Sequence, residues 1–261
     1  MKRNYFNIPI LFLLLISCGK SDLVPSESED DKIVIPSSNG NPGLGHSDEE
    51  PLGTALALPS GIRIVARQSH PFDPDIRKLY AHANFFYVDI NFVNDRMPGT
   101  PPVIVELPPG LIGVSTIHDK QNGLSIEKYL ITVPPTQRLG GGRDTTTVYV
   151  GMACLNEGRS MPWYDNLGAE QVFPISRNNY QKFIVTSDPG LSKLLDLLKG
   201  HPGLKITNHW DPVAAHEEDY VVPEWMKIHN EIQEHIWEIT DRFGLTHGKI
   251  IKLKERLKPY R

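Results

Sequence analysis

The sequence is poor in cysteine, in long apolar runs and in excess positive charge. Its 261 residues include only 2 Cys, too few for a miniprotein held together by disulfides. The hydrophobic share of 39% is too low for a bundle of membrane helices, although the length allows one large or two modest domains. The formal net charge is −4, and residues 59–261 are neutral as a set. We therefore expect no nucleic-acid partner, because binding nucleic acid requires a basic surface.

The N-terminus has the pattern of an export signal. Lys2 and Arg3 precede an apolar run over residues 8–16, which is short for a membrane span and typical of a signal-peptide core. The run ends in LISCG, which resembles the lipobox of bacterial lipoproteins. That resemblance implies removal of residues 1–17, a lipid on Cys18, and anchoring to the cell envelope at the outer membrane or cell surface. A plain secretory signal with an incidental cysteine is the alternative.

The segment that follows is polar and acidic. Residues 19–58 hold eight acidic side chains, two lysines and several runs of Ser, Pro, Gly and Asn. Such a composition offers too little apolar surface to offset the entropy of ordering. We predict a disordered acidic tether over residues 18–58, with a typical reach of about 35 Å.

Residues 59–144 form a predicted β-rich region. Segments rich in β-branched and aromatic residues alternate with turn signals and cover residues 62–66, 85–92, 103–107 and 124–133. A similar segment, residues 145–155, opens the next region. This spacing favours an antiparallel β-sandwich or a barrel-like sheet.

Residues 145–261 are predicted to be mainly helical. Asp188 and Pro189 predict the start of a helix that closes at Lys199-Gly200. A longer helix is expected over residues 224–243, and a short basic one over about 249–257. The face of the long helix that should dock on the core comprises Trp225, Ile228, Ile232, Ile236, Ile239 and Phe243. The predicted fold class is α+β, with the N-terminal β half followed by a helical half packed against it.

Two residues stand out as chemically unusual. Once Cys18 carries a lipid, Cys154 is the only free thiol of the mature chain. In an oxidising compartment such a thiol is buried and inert, bonded to another molecule, or reactive. Gln233 lies on the flank of the apolar stripe of the long helix, where its amide needs partners or is consumed chemically.

The segments around these two residues resemble a known family. MACLNEGRS at 152–160 and IQEHIW at 232–237 are similar to the two signature segments of bacterial thioester domains, which occur in surface adhesins. The leucine-rich stretch at 191–200 resembles the helix that lies between them, so that the likeness covers roughly residues 145–245. The resemblance implies that the Cys154 sulfur joins the side-chain carbonyl of Gln233 and expels ammonia.

The implied thioester would capture amines covalently. Trp237 and Met152 are placed to supply apolar walls that limit hydrolysis. A lysine on a host or partner protein would attack the Gln233 carbonyl, and the sulfur would leave as a thiolate. The event is single-use capture without turnover, so we expect no enzyme and no cofactor. The expected partners are an amine-bearing protein and, through the lipid, a membrane. His235 is expected to face solvent.

A metal site is a further possibility raised by the histidines, which concentrate late in the chain. There is no His-Glu-x-x-His motif, however, and His229 and His235 lie about 120° apart around a helix. We expect most of these histidines, with His209 and His216, to be at the surface, and we expect no metal site.

The main alternative is a non-covalent glycan- or protein-binding or structural lipoprotein in which Cys154 is only a buried core residue. Exposed aromatic residues in loops would then supply the binding surface. The candidates for this surface are Trp163, Tyr164 and Trp210.

Overall fold

The computed structural model of the chain describes residues 28–66, 79–83, 86–139, 142–143, 145–160, 180–207 and 218–261. Its strands are β1 (Ile33–Pro36), β2 (Gly53–Ala55), β3 (Ile62–Ile64), β4 (Leu79–Tyr80), β5 (Phe86–Asn94), β6 (Val103–Leu107), β7 (Leu111–Ser115), β8 (Gly123–Ser125), β9 (Tyr129–Val133), β10 (Arg138–Leu139), β11 (Gly142–Arg143), β12 (Thr146–Cys154), β13 (Tyr180–Thr186) and β14 (Gly244–Thr246). Its helices are α1 (Pro189–Leu198), α2 (Glu224–Thr240) and α3 (His247–Leu257).

One curled sheet organises the described part of the chain. Its strand order is β2-β13-β7-β8-β12-β5-β3, and β4 pairs in parallel with β12. The other neighbours in this order are antiparallel. Strands β6 and β9 form a separate antiparallel ribbon, as do β1 and β14. The sheet joins strands from both predicted regions, because β12 and β13 lie beside β5, β7 and β8.

The long strand β12 separates two hydrophobic cores. Its side chains alternate between the two faces of the sheet, as the period of a strand requires. Ala153 of β12 and Leu155, the first residue after this strand, pack with the helices in one core. Met152 and Cys154 pack in the other core, with residues of β5 and of the ribbon formed by β6 and β9. β5 is buried along its whole length because both of its faces are covered.

The predicted fold class is confirmed. The curled antiparallel sheet forms a half-barrel in the N-terminal part, and the helices, though few, lie in the C-terminal region. Helix α1 begins as predicted, with the Asp188 carboxylate accepting a hydrogen bond from Leu191 N–H at 2.8 Å. Leu191 and Leu194 of α1, together with Ile232 and Ile236 of α2, are buried in the core on the helical side.

The predicted end of the long helix is wrong. α2 ends at Thr240, and Phe243, expected on the buried face, is 83% exposed. The chain leaves the helix early because Gly244 opens β14, which pairs with β1. Gly244 has φ +93°, and a Cβ there would lie 2.3 Å from the Ile35 carbonyl oxygen. The glycine therefore serves a close approach between strands as well as the helix stop.

The predicted tether is wrong for residues 28–58. β1 pairs with β14, β2 pairs with β13, and Ile35 is only 1% exposed. Gly43 and Gly45 accept hydrogen bonds through their carbonyls from side-chain amides of the body. A few well-placed apolar and backbone groups order this segment, although its average composition is polar. Residues 18–27 of the predicted tether lie outside the described residues.

Within the described ranges, no helix combines the length and the apolar character that a membrane span needs.

Candidate functional site

The side-chain amide of Gln233 lies against the backbone of Cys154. The Cys154 N–H donates a hydrogen bond to Gln233 Oε1, with an N–O distance of 2.7 Å. Gln233 Nε2 donates in return to the Cys154 carbonyl oxygen, also at 2.7 Å. Cys154 is 0% exposed and Gln233 is 1% exposed. The fold thus brings together the two residues that the sequence singles out, which lie 79 positions apart.

The sheet explains why Cys154 has free backbone groups for this contact. β5 pairs with β12 only as far as Met152, and Cys154 then faces Gly123 of β8. Leu155 N–H donates to the Asn122 carbonyl at 3.0 Å, so Cys154 occupies a non-hydrogen-bonded position toward β8. Its own N–H and C=O therefore point to the opposite edge. Gln233 fills that edge and satisfies two buried backbone groups.

The side chain of Cys154 belongs to a core of apolar and aromatic residues. Met152, Phe86 and Tyr180 are buried in the same core as Cys154, and Trp237, one helical turn beyond Gln233, packs against that core. The rings of Phe86 and Tyr180 stack, with centroids 5.5 Å apart. Burial raises the pKa of the Cys154 thiol well above its ordinary value, which keeps the sulfur protonated at neutral pH. Met152, expected from the sequence as an apolar wall, thus belongs to the core that contains Cys154, and Trp237, the other expected wall, packs against this core.

A network of buried amides fixes the chain just beyond Cys154. Asn122 N–H donates to Asn156 Oδ1 at 2.9 Å, and Asn156 Nδ2 donates to the Gly45 carbonyl at 2.9 Å. Gln121 Oε1 accepts from Asn156 N–H at 3.2 Å. These bonds attach the N-terminal segment to the end of β12. They leave little freedom to the backbone next to Cys154, because the network is buried and mutually satisfied.

The expectation that His235 faces solvent is wrong. His235 is buried, and neither of its ring nitrogens has a hydrogen-bond partner among the described residues. Ion pairs of Arg256 with Glu231 and of Lys249 with Glu238 join α3 to α2 before and after this position. Burial lowers the pKa of His235. His229 is 5% exposed, and burial lowers its pKa to about 4. Both rings are therefore neutral at pH 7. His209 and His216 lie outside the described residues.

Asn122 and Asn156 lie beside the end of β12 and are residues that the sequence pattern did not single out. No local signal in the sequence identifies them, because the partners of their side-chain amides are backbone carbonyls far away in the chain.

Several other predicted site residues fall outside the part of the chain that the structure describes. They are Cys18 and the loop aromatics Trp163, Tyr164 and Trp210. Among the residues that the structure describes, no three His, Cys, Asp or Glu side chains form a group suited to holding a metal ion.

Comparisons with protein-family models, with curated protein sequences and with solved structures found no significant match to this chain. The resemblance to thioester domains therefore depends on the short sequence segments alone.

Proposed function

We propose that this chain is a lipid-anchored surface adhesin that captures an amine-bearing protein through an internal thioester. The bond would join Cys154 Sγ to Gln233 Cδ, and Cys18 would carry the lipid. The observation that supports this proposal best is the pair of hydrogen bonds between the Gln233 amide and the Cys154 backbone. They hold the carboxamide beside the one cysteine that remains after lipidation.

The same hydrogen bonds favour the chemistry. When the sulfur attacks Cδ, negative charge develops on Oε1, which already accepts a hydrogen bond from Cys154 N–H at 2.7 Å. A donor fixed at the position where charge develops stabilises a tetrahedral intermediate. The Cδ–Nε2 bond then breaks, the proton from Sγ passes to the leaving nitrogen so that neutral ammonia departs, and the Sγ–Cδ bond remains. The Cys154 N–H stays in place to serve the later attack by an amine.

Burial supports both the persistence and the single use of the bond. Water has little access to a site formed by fully buried residues, so hydrolysis of the thioester would be slow. An incoming lysine attacks Cδ, the sulfur leaves as a thiolate and is protonated, and an amide to Gln233 remains. Because the site is closed, capture requires a local opening near Trp237, whose side chain is only partly buried.

Methylamine is the probe that tests this proposal. We expect freshly prepared protein to take up one methylamine, with the label mapped to Gln233 and a thiol released at Cys154. Cys154→Ala and Gln233→Ala should take up none. Glu234→Ala, at the exposed neighbouring position on α2, is the matched control and should react like the wild type. Absence of uptake by the wild-type protein, or labelling at another residue, would contradict the proposal.

A second candidate function remains, because the contact between Gln233 and Cys154 can also be explained by core packing without any covalent bond. The Gln233 amide satisfies two backbone groups of β12, as a buried core glutamine would. In a non-covalent binding or structural lipoprotein, Cys154 would only fill the core. That protein would contain one titratable thiol after denaturation and would not react with methylamine.

A further inference from the structure

The outward face of α3 carries positive charge that neither the fold nor the proposed capture reaction uses. We propose that this face docks on the anionic lipid headgroups of the membrane to which the chain is anchored at Cys18. The inference rests on the lipid proposed for Cys18 and is independent of the thioester. It gives the protein a second, electrostatic contact with the membrane, which would hold the folded body in one orientation on the surface.

The positive charge is concentrated in one short stretch of the chain. Residues 247–261 hold six basic side chains and one acidic side chain, Glu255. Because residues 59–261 are neutral as a set, residues 59–246 carry a matching acidic excess. A protein with this distribution is attracted to an anionic surface through its basic helix. The six basic residues are Lys249, Lys252, Lys254, Arg256, Lys258 and Arg261.

Packing determines which side of α3 remains free. Ile250, Leu253 and Leu257 are buried in the core on the helical side. Two ion pairs with α2 add to this attachment, so that α3 is held on the body by one side and its other side faces solvent. These pairs are Lys249 with Glu238 and Arg256 with Glu231.

The free side of α3 combines lysines with an apolar residue. Lys252 and Lys254 are exposed, and among the residues that the structure describes neither forms an ion pair. Ile251 is 44% exposed and shares its face of the helix with Lys254 and with Lys258, an exposed residue that pairs with Glu255. A helix of this kind suits a headgroup layer, because its ammonium groups stay among the phosphates while the aliphatic groups reach the acyl boundary.

The proposed attachment point of the chain lies close to this helix. The Lys32 carbonyl oxygen accepts a hydrogen bond from His247 N–H at 2.8 Å, so the N-terminal segment meets the body at the first turn of α3. Ser28 is ten positions from Cys18, and ten residues span at most about 35 Å. A lipid on Cys18 would therefore keep α3 near the bilayer at a high effective concentration, where weak attraction suffices for docking.

Acidic residues of the N-terminal segment lie at the other end of α3 from most of the lysines. Asp30 Oδ1 is 3.9 Å from His247 Nδ1, at the start of the helix. Lys254 and Lys258 follow about 10 and 16 Å farther along the helix axis. This separation is about a Debye length or more at physiological salt, so Asp30 does little to cancel their attraction to a membrane.

The test measures lysine reactivity in the full lipidated chain held in vesicles. The vesicles contain phosphatidylcholine alone, or equal parts of phosphatidylcholine and phosphatidylglycerol, and the lysines are pulse-labelled with an acetylating reagent. At about 20 mM salt we expect Lys252 and Lys254 to react about fivefold or more slowly on the anionic vesicles. The difference should disappear at about 500 mM salt, because screening weakens the attraction. Lys128, an exposed residue beside β9, should react equally on both kinds of vesicle.

A charge reversal provides the matched comparison. In Lys252→Glu/Lys254→Glu, Lys258 should be labelled equally on both kinds of vesicle. In Lys128→Glu/Lys193→Glu, which makes the same change of charge elsewhere, Lys258 should remain protected on the anionic vesicles. All four positions are exposed, so both variants should fold.

The outcomes separate the docking from the anchor. Equal labelling of the α3 lysines on both kinds of vesicle at low salt would overturn the docking, and so would an equal slowing at Lys128. In either case the lipid at Cys18 would stand. A wild-type chain whose intact mass shows no lipid at Cys18 would instead overturn the proposed anchor.

Discussion

Gln233 completes the hydrogen bonding of Cys154 at the point where β12 loses the neighbouring strand β5. The amide oxygen and nitrogen lie 2.7 Å from the backbone nitrogen and oxygen of the cysteine. A side chain from a helix thus takes the place of a strand. The arrangement serves the stability of the sheet, and it also holds a carboxamide against the backbone of a buried cysteine.

Loss of the Gln233 amide should destabilise the fold even without a covalent bond. In a Cys154→Ala background, adding Gln233→Ala leaves two buried backbone groups unsatisfied and should lower the free energy of unfolding by about 2–5 kcal/mol. Urea unfolding of the single and double variants measures the difference. Glu234→Ala in the same background should change it by less than about 0.5 kcal/mol. A similarly small effect of Gln233→Ala would show that the hydrogen bonds do not form.

The ordered N-terminal segment predicts a contrast between two adjacent residues. Ile35 is 1% exposed, whereas Val34 is 43% exposed. Ile35→Ala should therefore lower the free energy of unfolding by about 2–4 kcal/mol, since it leaves a cavity in the core beneath α2. Val34→Ala should have a much smaller effect in the same thermal or urea measurement. Equal, small effects at both positions would support a flexible tether instead.

The end of α2 at Thr240 predicts a similar contrast between a buried and an exposed residue. Ile239 is buried in the helical core and Phe243 is exposed. Ile239→Ala should cost about 2–5 kcal/mol, whereas Phe243→Ala should change stability by less than about 0.5 kcal/mol. If Phe243→Ala proved as damaging as Ile239→Ala, the helix would continue as its sequence pattern predicts.

The neutral state of His229 predicts a loss of stability in mild acid. Its pKa is about 4 in the folded chain, against an ordinary value of 6.5. The unfolded chain therefore binds more protons between these values, and stability falls as pH drops through this window, by about 3 kcal/mol in all. His229→Gln should remove that part of the fall between pH 7 and pH 4. An unchanged pH dependence of urea unfolding in His229→Gln would mean that His229 is already accessible to protons.

Trp237 should protect the proposed thioester from water. It packs against the core that contains Cys154, so Trp237→Ala should admit water and speed the release of a free thiol by about 10-fold or more at neutral pH. The release is followed by thiol titration of folded protein. Phe243→Ala, another aromatic loss in a neighbouring exposed position, should leave the rate unchanged. Equal rates for both variants would remove Trp237 from this role.

The sequence predicts local features of this protein better than distant ones. The start of α1 follows from Asp188 and Pro189, whose effect is confined to one helical turn. The pairing of β1 with β14 joins residues about 210 positions apart, and no local pattern marks it. Average composition hides such a segment, because a few apolar residues, Ile35 and Leu44, attach it to the core.

The site residues show the same difference between local features, which the sequence predicts, and distant contacts, which it does not. The helical spacing of Gln233 and Trp237 follows from the sequence, and so does the position of Cys154 at the end of a strand. The pairing of Cys154 with Gln233 was predicted only from the resemblance to a family. Spacing along the chain does not tell which strand end a helix will contact. His235 was expected at the surface because it lies about 200° around the helix from Gln233. In the fold it is buried, and ion pairs join α3 to α2 at Glu231 and Glu238, before and after it.

Intact mass of freshly purified wild-type protein, recorded in denaturant with and without a thiol reagent, tests the thioester most directly. The account predicts a chain lighter than its sequence by one ammonia at Gln233, with no reactive thiol at Cys154, and full sequence mass in Cys154→Ala and Gln233→Ala. A wild-type chain at full sequence mass, with Cys154 available to the reagent, would contradict it.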